Sequence, residues 1–250
     1  MLDDQAFMRY SRQLLLEDIA QEGQQKLAAA RVLLVGLGGL GSPAALYLAA
    51  AGVGTLLLAD HDTLHISNLQ RQILYRSADL ARPKAMLARH ALEAVNPLVK
   101  TVALTTRLEG ESLEKAVAQA DLVLDCCDNM TTRHAVNAAC VAAQKPLISA
   151  SAVGFSGQLL VLTPPYLHGC YACLYPDASE PQRNCRTAGV LGPVVGVMGT
   201  LQALEALKLL CGLPSPLDGK LRLFDARQQQ WATLQLTRSL ACPVCGGGQA

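Results

Sequence analysis

The chain carries almost no net charge. Its 21 Lys and Arg face 20 Asp and Glu, a balance of +1. That balance gives no bulk field to draw in nucleic acid or an anionic membrane, so neither is expected as a partner. An anionic ligand would have to be met by local charges. Charged residues are few (16%), aromatics fewer (4%), and 51% of the 250 residues are hydrophobic. An apolar fraction this high at so low a net charge excludes global disorder. A chain of this length buries roughly 70–75% of its unfolded surface, enough for one large domain or two small ones.

A basic leader followed by an apolar run is missing from Met1-Leu2-Asp3-Asp4-Gln5, so a cytoplasmic protein is expected. Two stretches lack charge altogether, Val32 to Ala59 and Thr187 to Leu204. Gly36, Gly38, Gly39, Gly41, Pro43, Gly52 and Gly54 break the first into a strand, a turn, a helix and a strand. The second runs into the amphipathic Leu204-Glu205, Leu207-Lys208-Leu209 and reads as a buried core helix rather than a membrane span. Nine cysteines cannot form a fully paired disulfide framework. Four of them make two CxxC pairs, Cys170/Cys173 and Cys242/Cys245, a pattern that favours metal binding.

The opening, residues 4–29, has a helical pattern. Val32-Leu33-Leu34-Val35, bounded by glycine, suits a buried parallel strand. An Ala- and Leu-rich helix to about Ala51 follows, then a strand Thr55–Ala59 and a helix from Pro83 to Val95. Strands over Val99–Leu104, Leu122–Asp125 and Pro146–Ala150, with a helix near Thr131–Ala143, continue the alternation. The spacing predicts an α/β protein with a doubly wound, mostly parallel Rossmann-like sheet. After Val153 the pattern changes. Gln158–Leu162, Leu221–Asp225 and Trp231–Leu236 read as antiparallel strands extending that sheet, and Pro193–Leu210 as a long helix. Asp177 to Asn184 has no periodicity and reads as an exposed loop.

Gly36-Leu37-Gly38-Gly39-Leu40-Gly41 lies between a strand and a helix, where backbone N–H groups can approach phosphates. Asp60 follows about 20 residues on, where an acid can bond ribose hydroxyls. A tight turn without a ligand remains open, and glycines alone would suggest NAD or FAD. Three further segments count against a redox cofactor: Ser67-Asn68-Leu69-Gln70-Arg71-Gln72, Arg82-Pro83-Lys84 and Asp125-Cys126-Cys127-Asp128-Asn129. Arg and Lys suit triphosphate oxygens, and a strand-end Asp suits Mg²⁺ held partly by phosphates.

Together with Arg9-Tyr10-Ser11-Arg12-Gln13, these motifs resemble the ThiF/MoeB/HesA family, bacterial relatives of the ubiquitin-activating enzymes. The resemblance runs over residues 4 to 246 and includes both CxxC pairs. It implies one adenylating domain over 1–250, with a helical arm 1–30, a nucleotide-binding half 31–153 and a zinc- and carrier-binding half 154–250. It also implies an ATP- and Mg²⁺-dependent nucleotidyltransferase that adenylates the C-terminal glycine carboxylate of a small ubiquitin-like sulfur carrier ending in Gly-Gly. Gly39 would then meet the phosphates, Asp60 the ribose, and Ser67, Asn68 and Asn129 the nucleotide's surroundings. Arg71 and Lys84 would supply cations, Asp128 would hold Mg²⁺, and Arg12 would come from the second subunit of a homodimer.

Asn184-Cys185-Arg186-Thr187-Ala188-Gly189 is most similar to family members that activate the sulfur carrier of thiamin (thiazole) biosynthesis. Members serving the small subunit of molybdopterin synthase are the alternative, and a nucleotide-dependent oxidoreductase is a remoter one. The resemblance associates Cys185 with sulfur transfer from a donor protein. Arg183 and Arg186 beside it would favour the thiolate, although adenylation itself needs no thiol. Cys170, Cys173, Cys242 and Cys245 would make a closed, structural Zn²⁺ site. A redox pair or unrelated thiols are the other readings, and neither explains two pairs and a glycine-rich end. Cys126, Cys127, Cys140 and Cys211 read as small core residues.

Overall fold

A computed structural model describes residues 3–179 and 185–246. Eight strands form one sheet: β1 (Arg31–Val35), β2 (Thr55–Ala59), β3 (Lys100–Leu104), β4 (Leu122–Asp125), β5 (Leu147–Val153), β6 (Ser156–Leu162), β7 (Lys220–Asp225) and β8 (Gln230–Gln235). Their order is β3-β2-β1-β4-β5-β6-β7-β8. The first five are parallel and the last three add on antiparallel, as the sequence predicts.

The apolar runs explain the layering. In β1 and β2 the side chains alternate between two cores: Val32, Leu34, Leu56 and Leu58 enter one, Leu33, Val35, Leu57 and Ala59 the other. Helices cover both faces here, so these two strands are apolar on both sides. The first core lies under α2 (Ala20–Ala29), α3 (Gly41–Ala51), α4 (Lys84–Val95) and the long helix Gly192–Cys211. The second lies under α5 (Gly110–Ala118), α6 (Met130–Ala142) and the short α7 (Tyr171–Leu174). Fully burying one such Leu contributes about 1.5–3 kcal/mol, so the sheet is held mainly by these two layers.

The structure adds two details to the sequence reading. The arm is two helices, α1 (Asp4–Leu14) and α2, broken over residues 15–19. Helix α5 occupies a stretch in which the sequence reading places no element. The exposed loop expected over 177–184 falls mostly on residues 180–184, outside the described residues; from Cys185 the chain turns into the four-residue α8 (Cys185–Ala188). The long helix that follows, α9 (Gly192–Cys211), is apolar and long enough to cross a membrane by length and composition, but half of its most apolar window is buried in the fold. Gly199 lets it approach α3 closely: a Cβ there would lie 2.2 Å from the Leu40 carbonyl oxygen.

The parallel order reverses between β1 and β4, since β1 leads to β2 on one side and β4 returns on the other. A cleft opens beyond the carboxyl ends of strands at such a switch point.

Candidate active site

A cleft of about 800 Å³ lies there. Its floor begins at the turn after β1. Gly36 has φ +94°, and a Cβ on it would stand 2.7 Å from the Cys126 carbonyl oxygen, so only glycine fits. At Gly39 a Cβ would press on Val195 at 3.0 Å and on the Arg71 side chain at 3.3 Å. The bare backbone therefore leaves space at the start of α3 for an anion.

Asp60, at the end of β2, braces this turn. Its carboxylate accepts hydrogen bonds from the Leu37 N–H (2.8 Å) and the Asp62 N–H (2.9 Å). Burial pushes the Asp60 carboxyl up, against the pull of the Lys84 ammonium. Lys84 opens α4 and is buried, with Nζ 3.1 Å from the Asp62 carboxylate on the cleft wall. Arg71 also lines the cleft, its guanidinium donating to the Ser67 carbonyl at 3.0 Å. Beside it Gln72 is buried against Gly38, and its Oε1 has no hydrogen-bond partner.

On the other side of the switch, the two carboxylates after β4 part company. Asp128 is exposed and lines the cleft with Asn129, whose side chain caps α6 by accepting the Thr132 N–H at 2.9 Å. Asp125 is fully buried and committed to Arg133: the guanidinium donates to it at 2.8 Å and to Ser149 Oγ at 2.9 Å. The same guanidinium reaches the carbonyl oxygens of Ala150 (2.7 Å) and Cys127. Ser149 Oγ and the Cys127 N–H also donate to Asp125. Of the two carboxylates at this strand end, Asp128 is the one exposed to the cleft. Gln202, from α9, donates to the carbonyls of Asp125 and Ile148 and ties β4 to β5 from the other face.

Gly39, Asp60, Arg71, Lys84, Asp128 and Asn129 therefore meet in one cleft. Ser67 and Asn68 stand just outside, in the short turn Ile66–Asn68, where Asn68 Oδ1 accepts the His65 N–H. Arg12 is exposed on α1, which is anchored elsewhere: Tyr10 packs on Gly52 and its hydroxyl accepts from Asn96 at 2.8 Å. Within one chain Arg12 does not line the cleft. The side chain of Cys185 lies outside the described residues. Sequence reasoning missed Arg133, Asp62 and the far wall of Tyr171, Tyr175, Phe155 and Arg227. A buried Arg has no local signature, and this wall is assembled from α7 and the turns of two hairpins.

The CxxC pairs come together as expected. Cys170 Sγ is 3.7 Å from Cys242 Sγ, Cys173 Sγ is 3.3 Å from Cys245 Sγ, and all four sulfurs lie within 4.8 Å of one another. A tetrahedral Zn²⁺ with bonds of about 2.3 Å needs sulfurs about 3.8 Å apart, so the donor set fits that ion. Burial opposes ionisation of Cys242, but the amide N–H groups of Cys245 and Val244 and the neighbouring thiols bring it down to about 7. Apart from Cys185, the remaining cysteines behave as core residues. Burial pushes the thiols of Cys126, Cys127, Cys140 and Cys211 up.

Residues 10–244 match the ThiF family. The chain belongs to that family. The sulfur carrier protein ThiS adenylyltransferase of Escherichia coli K12 is 64% identical over 249 residues, covering 100% of this chain and 99% of its own length. The molybdopterin-synthase adenylyltransferase of the same organism is 44% identical, covering 98% of each chain. Among solved structures, a crystal structure of E. coli MccB with MccA-N7isoASN has a TM-score of 0.84 at 25% identity, covering 96% of this chain and 75% of that one.

Proposed function

We propose that this protein is an ATP-dependent adenylyltransferase that activates the C-terminal glycine carboxylate of a ubiquitin-like sulfur carrier for thiamin biosynthesis. The observation that carries the reading is one cleft holding an open glycine turn, two cations and a free strand-end carboxylate. The 64% identity to a ThiS adenylyltransferase, against 44% to a molybdopterin-synthase adenylyltransferase, supports a thiamin-pathway carrier over the molybdopterin one.

The chemistry joins two anions, a carboxylate and an α-phosphate. At about 4 Å their repulsion is roughly 1 kcal/mol in water and about 4 kcal/mol at an effective dielectric near 20. A cleft that excludes water must supply opposing charge already in place. Lys84 does so from a buried position, held against Asp62, and Arg71 from the rim of the glycine turn. The turn at Gly39 accepts the phosphates, and Asp60 presents a carboxylate beside them to the ribose. Asp128 is the residue that would hold Mg²⁺, which when bound neutralises phosphate charge. The carrier tail enters along the wall of Tyr175, Phe155 and Arg227. The four cysteines hold Zn²⁺ in a closed site with a structural role. Arg12 acts in the cleft of a second copy in a homodimer, and Cys185 serves sulfur transfer after activation. The deciding experiment is ATP–pyrophosphate exchange with carriers ending in Gly-Gly. Exchange that depends on a thiamin-pathway carrier supports the reading; exchange with the molybdopterin synthase small subunit alone would replace it, and none with either would overturn it.

A further inference from the structure

Helix α6 touches both the cleft and the cysteine cluster. At its start Asn129 caps it and Asp128 faces the cleft. One turn on, Arg133 holds Asp125, Ser149 and the carbonyls of Cys127 and Ala150. One turn further, Asn137 is fully buried. Its Nδ2 donates to Cys170 Sγ at 3.4 Å, and its Oδ1 accepts the Tyr171 N–H at 2.9 Å. Residues 129, 133 and 137 follow at intervals of four, so they share one face over about 12 Å of helix.

A buried amide is costly unless both ends are satisfied. Asn137 satisfies one end on a cluster sulfur and the other on the backbone that follows Cys170. Arg133 in turn has no slack. Its guanidinium binds the end of β4 with its following loop and strand β5 at once, and a small slide of α6 would strip partners from the buried Asp125. Cys170 belongs to the cluster that also holds Cys242 and Cys245, so the cluster determines where α6 is pinned. We propose that Asn137 is a positioning residue: through it the four-cysteine cluster fixes the helix whose Arg133 and capped start hold Asp128 in the cleft. This rests on the activity proposed above, but its structural half can be read without it.

The test uses the full-length, zinc-loaded protein and Asn137→Asp, which keeps an acceptor for the Tyr171 N–H and puts a carboxyl in place of the amide donor beside Cys170 Sγ. Zinc transfer to a chromophoric chelator should quicken about tenfold, within the range found for partners of metal ligands. Amide hydrogen exchange over residues 125–129 should quicken by a similar factor, while residues 31–35 and 55–59 stay as in wild type. The kcat of pyrophosphate exchange should fall about tenfold with the KM for ATP within about twofold. A second arm needs no substitution: stripping zinc from the wild type should loosen the same 125–129 segment. Faster zinc loss with unchanged exchange at 125–129, or equal loosening of the whole sheet, would overturn the proposal. So would a change in KM equal to that in kcat. If the wild type itself exchanges no pyrophosphate, the adenylyltransferase reading fails, and the hydrogen-exchange arms alone decide the role of Asn137.

Discussion

Asp128 and Asp125 are three residues apart and do opposite work. Asp128 is exposed at the end of β4, so Asp128→Ala should leave stability within about 0.5 kcal/mol of wild type while abolishing carrier-dependent pyrophosphate exchange. Denaturant unfolding and the exchange assay on one preparation check both halves. Asp125 is held by Arg133 inside the fold, and Arg133→Met would leave a buried carboxylate without its cation. A cost of about 3–5 kcal/mol is expected, measured as a shift in the unfolding midpoint. Cys185 calls for a split outcome. Cys185→Ala should retain pyrophosphate exchange but lose carrier thiocarboxylate, seen by mass spectrometry with a sulfur donor present. A thiol can attack an activated carrier, whereas it has no task in joining carboxylate to phosphate. Equal loss of both activities would make the residue structural.

Among the elements, the turn from β1 into α3 is the least forgiving. Gly36→Ala adds the strain of a positive φ, about 1–2 kcal/mol, and a contact with the Cys126 carbonyl that must push β1 and β4 apart. Stability should fall by about 2 kcal/mol or more, with weaker ATP binding by calorimetry. Elements with strong patterns were legible in the sequence: β2 and β4 begin and end where their apolar runs do, and α9 differs by one residue at each end. Helix α5 was not, because its buried side is only Leu113, Ala116 and Val117 between charged residues. The arm read as helical over 4–29, with no break marked, because its polar composition hides the one after Leu14. For the site, glycines and paired motifs announced themselves, since chemistry near phosphates restricts residue type. The supports did not: Arg133 looks like any surface cation until four partners close around it, and nothing local marks Asn137 as a neighbour of Cys170.

At the scale of the whole molecule, the cluster joins the end of the described chain to the loop after β6, across the segment that carries α8 and α9. About one zinc per chain is expected by elemental analysis. Serine at Cys173 or Cys245 should release it and lower the thermal midpoint, because metal binding at a site absent from the unfolded chain is folding free energy. Nucleotide affinity should change far less than thermal stability does. The sheet order also dictates a sequence of events. β6 meets β7 only after α7, α8 and α9 have been accommodated, and each hairpin flanking that seam can form earlier from local contacts. Cys170 and Cys173 lie on one side of the seam, Cys242 and Cys245 on the other. Neither pair alone offers four sulfurs, so full coordination has to wait for the seam to close. In a refolding experiment, metal capture should lag the recovery of sheet and mark the moment at which the chain is finished.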